Sequence, residues 1–453
     1  MGRVVVLGAG ESGRGVALLA RERGGEPFLS DAGLLGRAAL DELTDHALAY
    51  EYGGHGPDLL DGAEVVVKSP GIPWEAPAVA SARTRGVPVV GEMEYCARYA
   101  PLADGPGRPR LVGITGSNGK TTTTLLTTHL LRACGIDAHA GGNVGTSYAR
   151  LLREAPGADV YVLELSSFQL EGIRDFHVDV GVVLNLSPDH LDRYGGSFAD
   201  YAAAKYDLKR TLRPGATWLQ PADAVSREHA PAAPVGVREV PLAAEFAAGR
   251  ARTASRTYDL AGTALQGPHN AANASAALAI CEALGAEPAV LADALATFRN
   301  APHRLEAVGT DGRGVRYVDD SKATNLDAAA KALASFRAPV VWIAGGVDKG
   351  NDYAAVLPLV RERCRAVVAM GTDNAKLAAA FGDVEGLAFH DEDSLADTLR
   401  KCAMEARPGD VVLLAPACAS FDLFADYVDR GEQFRRAVEA LPDFTPAPRP
   451  ARP

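Results

Sequence analysis

Residues 113–122 read Gly113-Ile114-Thr115-Gly116-Ser117-Asn118-Gly119-Lys120-Thr121-Thr122, between the apolar pair Leu111-Val112 and a mainly apolar stretch from Thr123 to Leu131. A strand, a glycine-rich turn and a helix start are what a phosphate cradle needs. Glycines let the backbone close around an anion, and the N–H groups at a helix start meet it with positive partial charge. Lys120 can neutralise phosphate charge, and Thr121 can offer a hydroxyl to Mg²⁺. The strict G-x-x-x-x-G-K-[ST] spacing would put glycine at position 114, which is Ile114; the glycines fall at 113, 116 and 119. The flanking strand and helix favour a nucleotide-phosphate loop over a plain turn.

Downstream groups suit the same chemistry. The apolar run Val160–Leu163 ends in Glu164, followed by Leu165-Ser166-Ser167. A carboxylate there, after a phosphate loop, is where a Mg²⁺-side acid sits. A second buried run, Val180–Leu184, leads to Asp189-His190-Leu191-Asp192-Arg193, and residues 198–213 read as a helix carrying Lys205 and Lys209. Taken singly, these are a solvated acid, a structural histidine and surface lysines. With the loop, Lys120, Thr121, Glu164 and His190 form a phosphate and metal set for an ATP- or GTP-dependent enzyme. Asn270 and Asn273 share one face of an alanine-rich helix. They could hydrogen-bond a base or substrate, or cap the helix N-terminus.

Two more segments present polar groups at strand ends. Near the N-terminus, Val4–Leu7 runs into Gly8-Ala9-Gly10-Glu11-Ser12-Gly13 and a helical pattern. This G-x-G-x-x-G turn, with Asp31 closing the next strand, reads as a dinucleotide site or as a Rossmann-like turn for another phosphorylated ligand. A further strand, Glu64–Val67, leads into the turn Lys68-Ser69-Pro70-Gly71-Ile72-Pro73. In the last third, Val315–Val318, Val340–Ala344, Ala366–Met370 and Val411–Leu414 each run into a polar or glycine turn, and helices are expected from Asp327 and from Phe421.

The positioning elements follow from this alternation, which is the βα signature of parallel sheets. The expected fold is α/β in three domains: a Rossmann-like domain over 1–105, a central P-loop ATPase-type sheet over 106–300, and a C-terminal Rossmann-like domain over 301–453. The segment 101–109, rich in Pro and Gly, marks the first boundary. Residues 216–267 read as irregular short β elements, and the proline-rich tail from Thr445 as disordered. A length of 453 residues suits about three domains. A net charge of −11 without a Lys/Arg-rich run argues against a nucleic-acid partner. Six cysteines with no C-x-x-C pair suggest buried thiols of a reduced cytoplasmic protein. Val4–Leu7 is too short for a signal peptide, and no stretch approaches the ~20 apolar residues of a membrane span.

Six segments carry a resemblance: Gly113–Thr121, Leu163-Glu-Leu-Ser-Ser-Phe-Gln-Leu170, Asp189-His-Leu-Asp-Arg-Tyr194, His269-Asn-Ala-Ala-Asn273, Asp320-Ser-Lys-Ala-Thr-Asn325 and Pro416-Ala-Cys-Ala-Ser420. Together they resemble the Mur ligases of peptidoglycan synthesis, with the last two pointing to the branch that adds D-glutamate. The off-pattern Gly116 is a trait of that family's loop. The resemblance implies a cytoplasmic, monomeric ligase that uses ATP and Mg²⁺ to join D-glutamate to UDP-N-acetylmuramoyl-L-alanine. Lys120 would bind ATP phosphates within the loop Gly113, Thr115, Gly116, Ser117, Asn118, Gly119, Thr121 and Thr122. Thr121, Glu164, His190 and a carbamylated Lys205 would hold Mg²⁺. Asn270 and Asn273 would face the base, Arg304 a phosphate and Asp320 the ribose. Gly10, Ser12, Asp31, Ser69 and Gly71 become uridine-side candidates, and Asn143 and Ser166 muramoyl-side ones. Lys322, Thr324, Lys349 and Ser420 would receive D-glutamate and the acyl phosphate. Tyr427 stands where the family carries a phenylalanine, and Gly345–Lys349 departs from its pattern. The competing readings are another amino-acid or folate-type ligase, a nicotinamide oxidoreductase, and a non-catalytic nucleotide-binding protein.

Overall fold

The structure is a computed structural model that describes residues 2–99, 107–242, 249–265 and 267–448. It comprises two compact units, one of residues 1–246, 250–259 and 272–296, the other of 247–249, 260–271 and 297–453.

The first unit holds two parallel sheets. The first contains β1 (Arg3–Leu7), β2 (Glu26–Asp31), β3 (Ala49–Tyr52), β4 (Ala63–Lys68) and β5 (Val89–Gly91), in the order β3-β2-β1-β4-β5. Val4, Val5 and Val6 lie opposite Val65, Val66 and Val67, all fully buried. Strands covered on both faces read as unbroken apolar runs, which is why these were legible. The second sheet contains β6 (Arg110–Thr115), β7 (Ala138–Gly142), β8 (Val160–Glu164), β9 (Val178–Val183), β10 (Leu212–Gln220) and β11 (Arg238–Pro241), ordered β11-β10-β9-β6-β8-β7. One apolar cluster runs from Val4 of the first sheet through Tyr148 and Tyr161 to Trp218 of the second.

The expectation of irregular short β elements over 216–267 is corrected at its start. Leu212–Gln220 is a nine-residue strand paired in parallel with β9 and β11. Its register shifts between Leu212 and Thr217, at Pro214-Gly215. That break splits the strand's periodicity and hid it from the sequence. Beyond it, β12 (Arg250–Arg252) and β13 (Thr257–Asp259) form a small antiparallel pair.

The second unit is built on a seven-stranded sheet of β14 (Glu306–Thr310), β15 (Arg316–Asp319), β16 (Val340–Ala344), β17 (Cys364–Met370), β18 (Ala388–Glu392), β19 (Val411–Leu414) and β20 (Thr445–Pro446). Its order is β18-β17-β16-β19-β15-β14-β20, with β14 alone running against the others and pairing antiparallel with both β15 and β20. The tail expected to be disordered therefore starts as an edge strand. Pro446, which lacks an N–H, suits that edge. Residues 449–453 of that tail lie outside the described residues, as do 101–106 of the expected boundary segment. The helix expected from Phe421 begins instead at Tyr427, where Asp426 accepts a hydrogen bond from the Asp429 N–H. Asp422 meanwhile accepts one from the Thr372 N–H at 3.2 Å, so the intervening residues dock on a neighbouring loop. No described helix is long and apolar enough to cross a membrane.

Candidate active site

In the first unit, β6 delivers the glycine turn to the helix Lys120–Ala133. Gly116 (φ +147°) and Gly119 (φ +87°) adopt backbone conformations that favour glycine. Gly113 lies within β6, where a Cβ would come within 2.6 Å of Leu208 Cδ1. Thr115 closes the strand, fully buried, and Thr122 is buried in the helix's first turn. A second loop braces the turn. The Ser117 N–H donates to Asn185 O at 2.9 Å, and the Ser117 hydroxyl to Ser187 O at 2.8 Å. The Asn118 N–H donates to Asn185 Oδ1 at 3.0 Å, and Asn185 Nδ2 to Asn118 O at 2.9 Å.

The expected phosphate and metal residues converge here. Lys120 Nζ donates to Gly116 O and Ser117 O, each at 2.9 Å. The Thr121 hydroxyl donates to Glu164 Oε2 at 2.6 Å, and Asn143 Nδ2 to Glu164 Oε1 at 2.8 Å. Glu164 is buried at the end of β8. Lys205 Nζ also reaches Gly116 O at 2.9 Å, from the helix Phe198–Arg210, and lies 4.8 Å from the Tyr201 ring centre. Burial holds the Lys205 amine well below its usual range, and the nearby Lys120 charge adds to this against Asp189 and Glu164. Both lysines of this helix are buried, against the surface reading. Lys209 is tied instead to Pro231 O and Glu239, each at 2.7 Å. Asn273 packs on the turn, since a Cβ on Gly119 would lie 2.1 Å from its Oδ1. The helix Pro268–Ala283 starts before Asn270 and Asn273, so both sit within it rather than capping it. His190 stands at φ +51°, with its ring edge-on to Phe168 at 5.4 Å and Nε2 3.8 Å from Asp189. Ser166 caps the short helix Ser167–Leu170 in a reciprocal pair with Gln169.

At the first sheet, the two strand-end turns meet. A Cβ on Gly13 would lie 1.9 Å from Gly8 O, and the Ser69 hydroxyl donates to Gly8 O at 3.3 Å. Gly10 and Gly71 face open space. Asp31 accepts from the Ala9 N–H at 2.6 Å and the Gly33 N–H at 2.8 Å, so its carboxylate shapes the turn itself. The Ser12 hydroxyl donates to buried Glu92.

In the second unit, the loops after β15, β19 and β16, adjacent strands, knit together. Ala417 N–H donates to Ala323 O at 2.8 Å, and Gly345 N–H to Pro416 O at 2.8 Å. Lys322 Nζ lies 3.8 Å from the Tyr427 ring centre, so the tyrosine's π face holds the lysine cation. Ser420 is buried, Thr324 half-buried and Lys349 exposed. Burial pushes the Asp320 carboxyl up to about 7 against the pull of Arg304. Asn270 belongs with this unit and Asn273 with the first.

Three side chains here escaped sequence reasoning. His303 Nδ1 pairs with Asp319 Oδ2 at 2.7 Å, both buried, immediately before Arg304 and Asp320. Arg430, 1% exposed, donates to Ser321 Oγ at 3.0 Å, Ser321 O at 2.9 Å and Cys418 O at 3.2 Å. It thus ties the Lys322 loop to the Ser420 loop. A single arginine in an amphipathic helix gives no local sign of this.

Residues 2–91, 114–281 and 303–418 match, in turn, the Mur ligase MurD-like N-terminal domain, the Mur ligase middle domain and the Mur ligase glutamate ligase domain. The chain is 42% identical over 455 residues to a UDP-N-acetylmuramoylalanine–D-glutamate ligase of Cytophaga hutchinsonii, covering 97% of this chain and 99% of that one. Its fold is similar to that of the UDP-N-acetylmuramate-alanine ligase MurC from Thermotoga maritima, with a TM-score of 0.60 at 19% identity, over 96% and 98% of the two chains. It is equally similar to a MurF ligase from Thermotoga maritima solved in complex with ADP, with a TM-score of 0.60 at 17% identity over 91% and 95%. With a near-full-length relative at that identity and three family domains matched along its length, this chain belongs to the Mur ligase family.

Proposed function

We propose that this chain is an ATP-dependent ligase that joins D-glutamate to UDP-N-acetylmuramoyl-L-alanine. The observation that carries the reading is the cluster at the glycine turn, where Lys120 and Lys205 both donate to Gly116 O and Thr121 and Asn143 both donate to the buried Glu164 carboxylate. The D-glutamate specificity rests on the similarity to the Cytophaga hutchinsonii ligase. A carboxylate is a poor electrophile, so the acyl group is activated first. A carboxylate oxygen of the L-alanyl end attacks the γ-phosphorus of ATP, and ADP leaves. The D-glutamate amine then attacks the acyl carbon, loses a proton, and phosphate departs as the amide forms.

On this reading each of the chain's site residues takes a role. The turn amides and Lys120 hold the ATP phosphates, with Asn273 against the turn and Asn270, Arg304 and Asp320 assigned to the nucleoside side. Lys322, Thr324, Lys349 and Ser420 receive D-glutamate, because a dicarboxylic amino acid needs cationic and hydroxyl donors. Asn143 and Ser166 serve the muramoyl side; Gly10, Ser12, Asp31, Ser69 and Gly71 serve the uridine diphosphate. The donor set fits Mg²⁺: the Glu164 carboxylate and the Thr121 hydroxyl are hard oxygen ligands already in contact. His190 and a carbamate on Lys205 would complete it. A neutral Lys205 amine takes up CO₂, forming an N–C bond and releasing one proton, and its depressed basicity supplies that neutral form. Mg²⁺ bound there neutralises the phosphate charge that develops during transfer. On this reading residues 1–105 bind the uridine substrate, 106–300 ATP and 301–453 the amino acid, in a cytoplasmic monomer. The test is phosphate release and product mass with UDP-N-acetylmuramoyl-L-alanine, ATP, Mg²⁺ and a panel of amino acids. D-glutamate should be preferred; if L-lysine or L-alanine released as much phosphate, the specificity would be wrong.

A further inference from the structure

Strand β4 ends on Lys68, whose side chain is 1% exposed. Taking an ammonium group out of water is costly unless it is compensated. Its Nζ donates to Ile72 O at 3.0 Å and lies 4.7 Å from the Trp74 ring centre. Arg83 lies 4.7 Å from the same ring. The indole fits because residue 172 is glycine, where a Cβ would lie 2.7 Å from Trp74 Cζ2. Glu171, at the end of the helix Ser167–Leu170, accepts from Arg193 and from the Tyr194 hydroxyl at 3.0 Å each and attracts the ammonium.

These contacts act on one feature, the turn Ser69–Pro73. The Ser69 N–H donates to Leu7 O at 2.8 Å, the Ile72 N–H to Ser69 O at 3.0 Å, and Lys68 pulls the Ile72 carbonyl back towards the strand. The turn is thereby held to the strand end while Gly71, like Gly10 of the neighbouring turn, faces open space. A methionine would fill the same volume with no desolvation cost. Only the ammonium can both hold the carbonyl and set positive charge under the turn.

We infer that Lys68 is a positioning residue for the nucleotide-sugar substrate, holding the Ser69–Pro73 turn in the shape that receives the diphosphate. The inference rests on the proposed reading that the first sheet binds uridine diphosphate. Burial pushes the Lys68 amine down to about 8; Arg193 and Arg83 push the same way, and Glu171 and Glu75 oppose. Its charge therefore fades within a range open to measurement.

Calorimetric titration with UDP alone, at pH 7 and pH 9, separates the possibilities for the wild type, Lys68→Met and Lys68→Arg. At pH 7, Lys68→Met should bind UDP about tenfold more weakly, the scale of one charge-assisted hydrogen bond. The wild type should lose affinity from pH 7 to pH 9 relative to Lys68→Arg, which stays charged and corrects for titration of the uracil. In turnover, Lys68→Met should raise KM for the nucleotide substrate and leave kcat and KM for ATP unchanged. Equal UDP affinity of wild type and Lys68→Met at pH 7 overturns the inference. Should Lys68→Met not fold, a wild-type pH dependence identical to that of Lys68→Arg overturns it instead. UDP binding without D-glutamate ligation would sink the ligase reading and leave Lys68 standing; no UDP binding by the wild type would sink both.

Discussion

Gly119→Ala offers a quantitative test of the ATP site. Gly119 sits at φ +87°, and an added Cβ would lie 2.1 Å from Asn273 Oδ1. The left-handed conformation costs a non-glycine residue roughly 1–2 kcal/mol. Asn273 is buried, so the Cβ must displace its amide; losing a buried partner costs about 1–3 kcal/mol. The strain is a folding cost, so the displacement of Asn273, about 1–3 kcal/mol, sets the fall in kcat/KM for ATP at roughly 5- to 140-fold at 1.4 kcal/mol per decade. Gly135→Ala is the control. It lies beyond the other end of the same helix at φ +78°, with nothing within 4 Å of its Cβ position. It carries the backbone strain alone, so it should lower the melting temperature and leave KM for ATP unchanged. Initial rates of phosphate release across ATP concentrations, with thermal melts of both variants, give the comparison. If folded Gly119→Ala kept KM for ATP within about twofold of Gly135→Ala, Asn273 would not be braced against the phosphate turn as described, and the reasoning would fail.

Three further outcomes are expected. Lys205→Ala should lose turnover by roughly 10²-fold or more, with partial recovery on adding a short carboxylic acid that replaces the carbamate; wild-type rates in the variant would remove Lys205 from the site. Burial alone would lower the His303 pKa, but the hydrogen bond and charge of Asp319, with Glu306 and Glu432, outweigh it and raise it. The pair's stabilisation is then full below the unfolded value of about 6.5 and lost as pH rises through the higher folded value. Wild-type melting temperature should fall more steeply than that of Asp319→Asn between pH 6.5 and 9, and parallel slopes would refute the pairing. Arg430→Met strands acceptors on Ser321 and Cys418 at about 1–3 kcal/mol each; it should lower the melting temperature and raise KM for D-glutamate more than KM for ATP, and equal effects on both would argue against its tie between the two loops.

Much of this protein was legible in its residues because the relevant interactions are local. The buried parallel strands announce themselves as apolar runs, since both faces are covered. The phosphate turn is visible because strand, glycines, lysine and helix lie within a dozen residues, and its φ values require the glycines that are there. The elements that were misread fail for equally local reasons. Pro214-Gly215 breaks β10 in two, and the use of Asp422 and Asp426 in loop docking and capping postpones the last helix to Tyr427. What the sequence determined, then, is which segments form strands, turns and helices and which chemical groups stand at their ends. Only the tertiary structure decided which of those groups share a site and in what dielectric. It separates Lys205, 89 residues from the Gly116 carbonyl it meets, from Lys209 one turn away, which is tied to Glu239. It brings Arg430 across 109 residues to Ser321, and places Asn273 against Gly119. Burial and long-range pairing arise from packing between elements, and a pattern of neighbours along the chain holds no record of them.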